Sequence, residues 1–178
     1  MKSQLLDEKY GFVSEKDKAF IIAFNDAMVS AGYENNGIQP YVVFGKYKIE
    51  YFKPGTKTKK YIARVYFRED EIVLRLYFSD IDKHRTYIEN APDFIKKPFV
   101  DESHRCKMPD CKGMITNGKC RYRKTYTISG TSYIKCAEQS FMYYNMDVKN
   151  AESYTKPLVA FYPIKNVLGN SHSRNKAK

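Results

Sequence analysis

Residues 46–78 read KYKIEYFKPGTKTKKYIARVYFREDEIVLRLYF, and this stretch decides the fold class. Apolar residues alternate there with charged or polar ones over three segments, residues 46–52, 60–68 and 71–78. A period of two residues places successive side chains on opposite faces of a β-strand. The turn at Pro54-Gly55 and the short connection at Glu69-Asp70 join neighbouring strands directly, which predicts an antiparallel meander.

Segments with helical signals flank the predicted meander. Residues 14–31 carry apolar side chains at helical spacing. A middle helix is expected to begin at Ser79-Asp80 and to end before Pro92, and a C-terminal helix is expected to begin near Asn150. Pro157 should split that last helix or delay its start. The sequence therefore predicts an α+β fold in which an antiparallel sheet packs with an N-terminal, a middle and a C-terminal helix.

Length and composition favour a single domain. The chain has 178 residues, of which 43% are apolar, so it is long enough to bury a sizeable core. We assign residues 1–168 to this domain and predict that residues 169–178 form a basic, disordered tail. No apolar run approaches the ~20 residues that cross a bilayer, and the N-terminus lacks the apolar core of a signal peptide. These features predict a cytoplasmic protein.

Positive charge is concentrated in one segment. The formal net charge is +11, and residues 103–124, SHRCKMPDCKGMITNGKCRYRK, contribute +6 because seven basic residues are offset only by Asp110. Residues 165–178 add four basic residues and no acidic one. Such a surface favours an acidic partner, with RNA or DNA as the first choice. The side chains expected to contact phosphates are those of Arg105, Lys119, Arg121, Arg123 and Lys124.

The polar face of the predicted meander offers a second basic and aromatic surface. Its members are Lys48, Lys60, Arg64, Tyr66, Arg68, Arg75 and Tyr77. Folds that hold single-stranded nucleic acid combine such cations with aromatic rings. The alternative is a sheet face that is simply solvated, or one that other elements cover.

The basic segment also holds three of the four cysteines. Cys106, Cys111, Cys120 and Cys136 follow the pattern C-x4-C-x8-C-x15-C, and the first pair meets the outer limit of the spacing seen in zinc sites. A predicted hairpin that turns at Ser129-Gly130 would bring Cys120 and Cys136 together. We expect the four cysteines to bind a structural zinc ion. The alternative is a set of thiols that bind no metal.

Signatures of catalysis are weak in this sequence. Residues 113–120, GMITNGKC, nearly match the P-loop pattern, but Cys120 replaces the hydroxyl that binds magnesium, and a strand-like segment follows where a helix is needed. Neither a G-x-S-x-G elbow nor a C-x-x-C pair occurs. We expect a non-enzymatic binding module, although an enzymatic activity stays open. The alternative function is a regulatory domain that binds a small molecule or a protein in a pocket between sheet and helices.

Two runs of sequence carry a resemblance to a known family. They are RLYFSDIDKHRTYIENAPDFIKK at residues 75–97 and CRYRKTYTISGTSYIKCAEQSF at residues 120–141. Over most of its length the chain resembles a family of small bacterial cytoplasmic proteins with a cysteine cluster. That resemblance implies a compact α+β domain. It implies no catalytic residues, because the family has no assigned activity.

Overall fold

A computed structural model describes residues 1–102, 105–106, 115–116, 119–120, 122–137 and 141–164. In these residues the α-helices are α1 (Lys2–Leu5), α2 (Glu15–Ser30), α3 (Arg85–Glu89), α4 (Asp93–Val100) and α5 (Ala151–Phe161). The strands are β1 (Glu34–Pro40), β2 (Tyr47–Lys53), β3 (Lys60–Phe67), β4 (Ile72–Leu76), β5 (Ile115–Thr116), β6 (Lys119–Cys120), β7 (Arg123–Ile128), β8 (Thr131–Cys136) and β9 (Met142–Tyr143). Short 3-10 helices cover Glu8–Tyr10, Ile81–His84 and Val148–Asn150.

The main sheet has five antiparallel strands in the order β1-β2-β3-β4-β9. Strands β2, β3 and β4 form the predicted meander, in which Val65 of β3 lies between Ile49 of β2 and Leu74 of β4. All three side chains are fully buried on one face of the sheet. The alternating pattern of the sequence therefore predicted these three strands and their antiparallel order correctly, and the α+β fold class is confirmed.

The two edge strands of this sheet, β1 and β9, differ from the strands of the meander. Strand β1 reads ENNGIQP and shows no alternation, and its register shifts between Asn35 and Ile38, where Gly37 has a φ of +70°. Pro40 is tolerated because an edge strand leaves one side of its backbone unpaired. On the opposite edge, β9 pairs with β4 through only two residues, Met142 and Tyr143.

Helix α2 covers the apolar face of the meander. Ser14 caps its first turn by accepting a hydrogen bond from the backbone N of Asp17 (3.1 Å). The ring of Phe24 packs edge-on against Tyr51 of β2, with 5.3 Å between ring centroids. Phe20 contacts Tyr154 of α5 in the same way at 5.7 Å. The N-terminal and C-terminal helices thus share one core with the sheet.

The other helices depart from the prediction in two places. The middle helix begins as a 3-10 turn, because Asp80 lies in the left-handed region (φ 54°) and makes no side-chain capping bond. Pro157 was expected to interrupt the last helix, and this was wrong: it lies inside α5, which continues to Phe161. Proline removes one backbone hydrogen bond. Burial of Leu158 and Phe161 against the core offsets that loss.

The second face of the sheet is built around a buried carboxylate. Glu50 is only 5% exposed, and its Oε1 lies 2.7 Å from Arg64 Nε and 2.9 Å from Lys48 Nζ. Asn36 of β1 donates from Nδ2 to the other carboxylate oxygen (3.0 Å) and accepts from the backbone N of Glu50 through its Oδ1 (3.0 Å). One acidic side chain therefore joins β1, β2 and β3.

This face is not an open platform. Tyr66 is buried beneath the rings of Tyr41 and Phe44, whose centroids lie 5.6 and 5.0 Å away. Arg75 is also buried, and it donates a hydrogen bond to the carbonyl oxygen of Ala137 (2.9 Å). The hypothesis that this whole face holds a nucleic-acid strand is therefore wrong for Tyr66 and Arg75, which other parts of the chain cover.

Replacing Glu50 by Gln should destabilise the fold by about 1–3 kcal/mol, because Arg64 and Lys48 would lose their carboxylate partner. Burial raises the pKa of Glu50, but the hydrogen bond from Lys48 and the charges of Arg64 and Lys48 outweigh it, so the pKa lies below its usual value. The ionised carboxylate thus stabilises the fold above the unfolded-state pKa, and this contribution is lost as the pH falls through the folded-state pKa. Urea unfolding of both proteins should show their difference at neutral pH and a smaller difference in acid.

Glu69→Gln is the matched control for this measurement. The Glu69 carboxylate is 74% exposed and lies 3.1 Å from Lys46 Nζ. An exposed pair of this kind contributes less than about 1 kcal/mol. Equal losses for the two variants would contradict a special role for Glu50, as would a Glu50→Gln loss that does not change on acidification.

Candidate nucleic-acid interface

Strands β7 and β8 form the hairpin that the sequence predicts. They pair from Arg123 with Cys136 to Ile128 with Thr131. The two turn residues, Ser129 and Gly130, have φ values of 49° and 79°. Positive φ at both positions gives the turn whose twist matches that of a two-stranded ribbon.

The hairpin is held against the helices by three hydrogen bonds. The hydroxyl of Tyr126 donates to the carbonyl oxygen of Phe99 (2.7 Å). The backbone N of Thr127 donates to Asp82 Oδ1 (3.0 Å), and that of Ser129 donates to Glu89 Oε1 (2.6 Å). The Thr127 bond, together with a hydrogen bond from Arg85, lowers the pKa of Asp82. One face of the hairpin is thus fixed to the body of the protein, and we call the opposite face its outer face.

The pairing register divides the basic residues of the hairpin between its two faces. Arg123 is exposed on the outer face, opposite Cys136. Lys124 lies on the inner face, opposite Lys135, and is half-buried. Lys135 itself is 2% exposed, and its ammonium lies 2.7 Å from the carboxylate of Asp101. Residues 122–137 contain no acidic side chain, so the charge of Arg123 has no acidic neighbour on its own hairpin.

A third backbone segment pairs with the free side of β8. Arg105 forms an antiparallel bridge with Lys135, and the backbone N of Cys106 donates to the carbonyl oxygen of Ile134 (2.9 Å). The Arg105 side chain is 73% exposed and lies 3.9 Å from Glu102. Arg105 and Arg123 therefore approach β8 from its two sides.

Two further residues are predicted to contact phosphates, Lys119 and Arg121. Lys119 lies on β6, where its backbone pairs with Thr116. Arg121 lies outside the described residues. Of the five predicted contacts, the structure thus places Arg105 and Arg123 on exposed surface at the two sides of β8, with Arg105 in register with Lys135, and it directs Lys124 inward.

The register also brings two of the predicted zinc ligands to one face. Directly opposed residues and those two positions along a strand share a face of the sheet. Cys106 pairs beside Ile134, so it shares the outer face with Cys136. Cys106, Cys120 and Cys136 are half-buried thiols outside any disulfide, and Cys111 falls outside the described residues. Within the part that the structure describes, no group of three or more His, Cys, Asp or Glu side chains could hold a metal.

A second basic surface lies at the tip of the β2–β3 hairpin, and the sequence reasoning did not recognise it as a unit. We define the tip surface by its basic and aromatic residues, Lys53, Lys57, Lys59, Lys60 and Tyr61. The available signal was the run from residue 51 to residue 68, YFKPGTKTKKYIARVYFR, which contains six basic residues and no acidic one.

A cavity of about 720 Å³ lies between α2 and α5. Its wall is mainly apolar and includes Ala27 and Val159, while Lys149 and Glu152 lie at its rim. The hydroxyl of Thr155 is buried in this wall without a hydrogen-bond partner among described residues. A smaller cavity of about 410 Å³ lies beside β9, between α4 and α5.

Comparison with known protein families, curated proteins and solved structures gives no match to this chain. The family resemblance of residues 75–97 and 120–141 therefore stays a prediction. Within the described ranges, no helix has the length and apolar character needed to span a membrane.

Proposed function

We propose that the protein is a non-enzymatic module that binds RNA or DNA through the outer face and edge of its β7–β8 hairpin. The observation that carries this proposal is the position of Arg105 and Arg123, both exposed and on opposite sides of β8. Guanidinium groups bind phosphates through two parallel hydrogen bonds, which makes arginine well suited to a phosphate backbone. The net charge of +11 adds long-range attraction for a polyanion.

Polar side chains near the two arginines support the same function. Thr125 and Ser132 are exposed, and they lie on the outer face with Arg123. Hydroxyl groups commonly donate hydrogen bonds to phosphate oxygens, next to the charged contacts that dominate affinity. The inner face is fixed to the helices, so the outer face can meet a ligand without rearrangement of the hairpin.

The structural part of the proposal is a zinc ion held by Cys106, Cys111, Cys120 and Cys136. Support comes from Cys106 and Cys136, which share the outer face through the pairing of β8 with its neighbours. Arg123 lies directly opposite Cys136, so a basic side chain stands beside this cysteine. A zinc ion at this position would hold the basic segment against the hairpin.

Replacing Arg105 and Arg123 together by Ala should weaken oligonucleotide binding by about tenfold or more, because two charge-assisted contacts are lost. The salt dependence should also change: the slope of log affinity against log salt should decrease by about 1 for each phosphate contact removed. Fluorescence anisotropy with a labelled oligonucleotide, from about 50 to about 200 mM salt, measures both effects.

The control for this experiment is the pair Lys2→Ala and Lys16→Ala, which removes the same charge from exposed positions on α1 and α2. This variant should keep most of the affinity. Equal losses in the two double variants would show that only total charge matters. Unchanged binding by the arginine variant would refute the proposed surface.

Elemental analysis of purified protein should find about one zinc ion per chain, and Cys106→Ser and Cys136→Ser should each lose the metal and lower the melting temperature. Ser132→Ala changes another residue of the same β8 face and should keep the metal. A wild-type protein that is stable without metal would contradict the zinc proposal, while leaving the arginine contacts to be judged by the binding experiment.

A second candidate function is a regulatory domain that binds a small molecule or a protein. The 720 Å³ cavity between α2 and α5 favours it, because its size suits a ligand and the buried hydroxyl of Thr155 offers an unused hydrogen bond. The ultraviolet spectrum of protein purified from cells separates the two functions. Co-purified nucleic acid raises absorbance at short wavelength relative to that of protein, and an ordinary protein spectrum favours the regulatory domain.

A further inference from the structure

The tip surface of the β2–β3 hairpin carries positive charge that forms no ion pair among the described residues. Its turn is formed by Pro54 and Gly55, with a φ of +73° at the glycine. Lys57, Lys59 and Lys60 are exposed, and none of them forms an ion pair with a carboxylate in the described part of the chain. Elsewhere on the same strands, Lys48 and Arg64 are paired with Glu50. The tip therefore combines accessible ammonium groups with an uncompensated positive charge.

Aromatic rings and a carbonyl group position the lysines of the tip. Lys59 Nζ lies 4.6 Å from the ring centroid of Phe52, and Lys60 Nζ lies 4.6 Å from that of Tyr162. Lys53 Nζ donates a hydrogen bond to the carbonyl oxygen of Pro163 (2.6 Å). Contacts of this kind restrict a long side chain while leaving its charge available, since an aromatic face carries no net charge.

Tyr61 supplies an exposed ring opposite Phe52, the residue whose ring lies under Lys59. It is 36% exposed, and it is held by Phe52, which packs edge-on at 6.4 Å, and by Arg64, whose guanidinium carbon lies 5.2 Å from the ring centroid. Proteins that bind single strands use an aromatic ring to stack an unpaired base and basic side chains to contact the backbone. A duplex keeps its bases stacked inside, so such a ring favours single strands.

Contacts between aromatic rings connect the tip surface to the β7–β8 hairpin. Lys60 lies over Tyr162, which packs against Phe161 with 6.3 Å between ring centroids. Phe161 in turn stacks on His84 at 4.0 Å. His84 belongs to the same 3-10 helix as Asp82, which binds the backbone of β7. A continuous series of contacts therefore connects the tip surface to the β7–β8 hairpin.

We propose that the tip surface binds single-stranded nucleic acid, with the lysines on its phosphates and Tyr61 stacked on one unpaired base. This inference rests on the proposed function and extends it, because it assigns a second surface and selects single strands over duplexes. The tip surface then determines the type of nucleic acid, whereas Arg105 and Arg123 contact any phosphate backbone.

The test compares Tyr61→Ala with Tyr61→Phe, using a labelled oligothymidine and a duplex of equal length as probes. Loss of the ring should weaken binding of the single strand by about tenfold, while Tyr61→Phe keeps the stacking surface and should stay within about twofold of wild type. Duplex affinity should not change in either variant. Circular dichroism and melting temperature establish that both variants are folded.

Tyr144→Ala is the matched control, because Tyr144 is also exposed (41%) but lies beyond the edge strand β9, away from the tip lysines. It should bind both probes as wild type does. Equal losses in Tyr61→Ala and Tyr144→Ala would overturn the proposal, and so would a Tyr61→Ala variant that binds the single strand normally.

A triple variant of Lys57, Lys59 and Lys60 to Ala tests the cationic part of the tip. It should lower the affinity for the single strand and reduce the slope of its salt dependence. Measured beside the Arg105 and Arg123 double variant, it separates the two proposals. Loss only in the tip variants supports the tip and refutes the hairpin surface, and loss only in the arginine variant does the reverse. A wild-type protein that binds neither probe refutes both.

Discussion

Burial of the apolar face of the meander under α2 and α5 is the interaction on which the rest of the structure depends. The rings of Phe24 and Tyr51 meet at the centre of this core, and Phe20 connects it to Tyr154. Removal of such large rings from water supplies the main driving force for folding. Because the helices occupy this face completely, binding surfaces are left to the hairpins, which project from the packed layers.

The distribution of charge matters more in this protein than its total. The basic side chains on the second face of the sheet are largely used internally, since Glu50 pairs with two of them and Arg75 is buried. A buried carboxylate with several donors specifies which strands meet, at a cost in desolvation. Exposed basic side chains without a carboxylate partner among the described residues include the tip lysines of the β2–β3 hairpin and Arg123 of the β7–β8 hairpin. A count of lysines and arginines alone does not reveal this division.

The parts of the fold that sequence reasoning predicts are those encoded by short-range patterns. Alternation gives the meander, a capping serine and helical spacing give α2, and Ser129-Gly130 gives the hairpin turn. Strand β1 escaped prediction because it is held by Asn36, whose partner Glu50 is distant in sequence and whose neighbours show no alternation. The continuation of α5 through Pro157 likewise depends on tertiary packing, which a local rule does not contain.

The candidate sites, too, can be predicted from the sequence only in part. The basic character of the segment around Arg105 and Arg123 is visible in the sequence. Their placement on two sides of β8 requires the bridge between Arg105 and Lys135, which joins parts of the chain that no motif connects. The common face of Cys106 and Cys136 follows from that same bridge. The tip surface was not predicted as a unit, because Lys60 and Tyr61 belong to an alternating strand while its other lysines lie in the connection before that strand.

The hydrogen bonds around the β7–β8 hairpin have a consequence for association between chains. An isolated two-stranded ribbon presents two open backbone edges, and such edges template the addition of strands from other molecules. Here Asp82 occupies the amide of Thr127 on one edge, and the segment at Arg105 and Cys106 covers the other. Contacts within the chain therefore occupy part of each hairpin edge, while the outer face stays open to solvent.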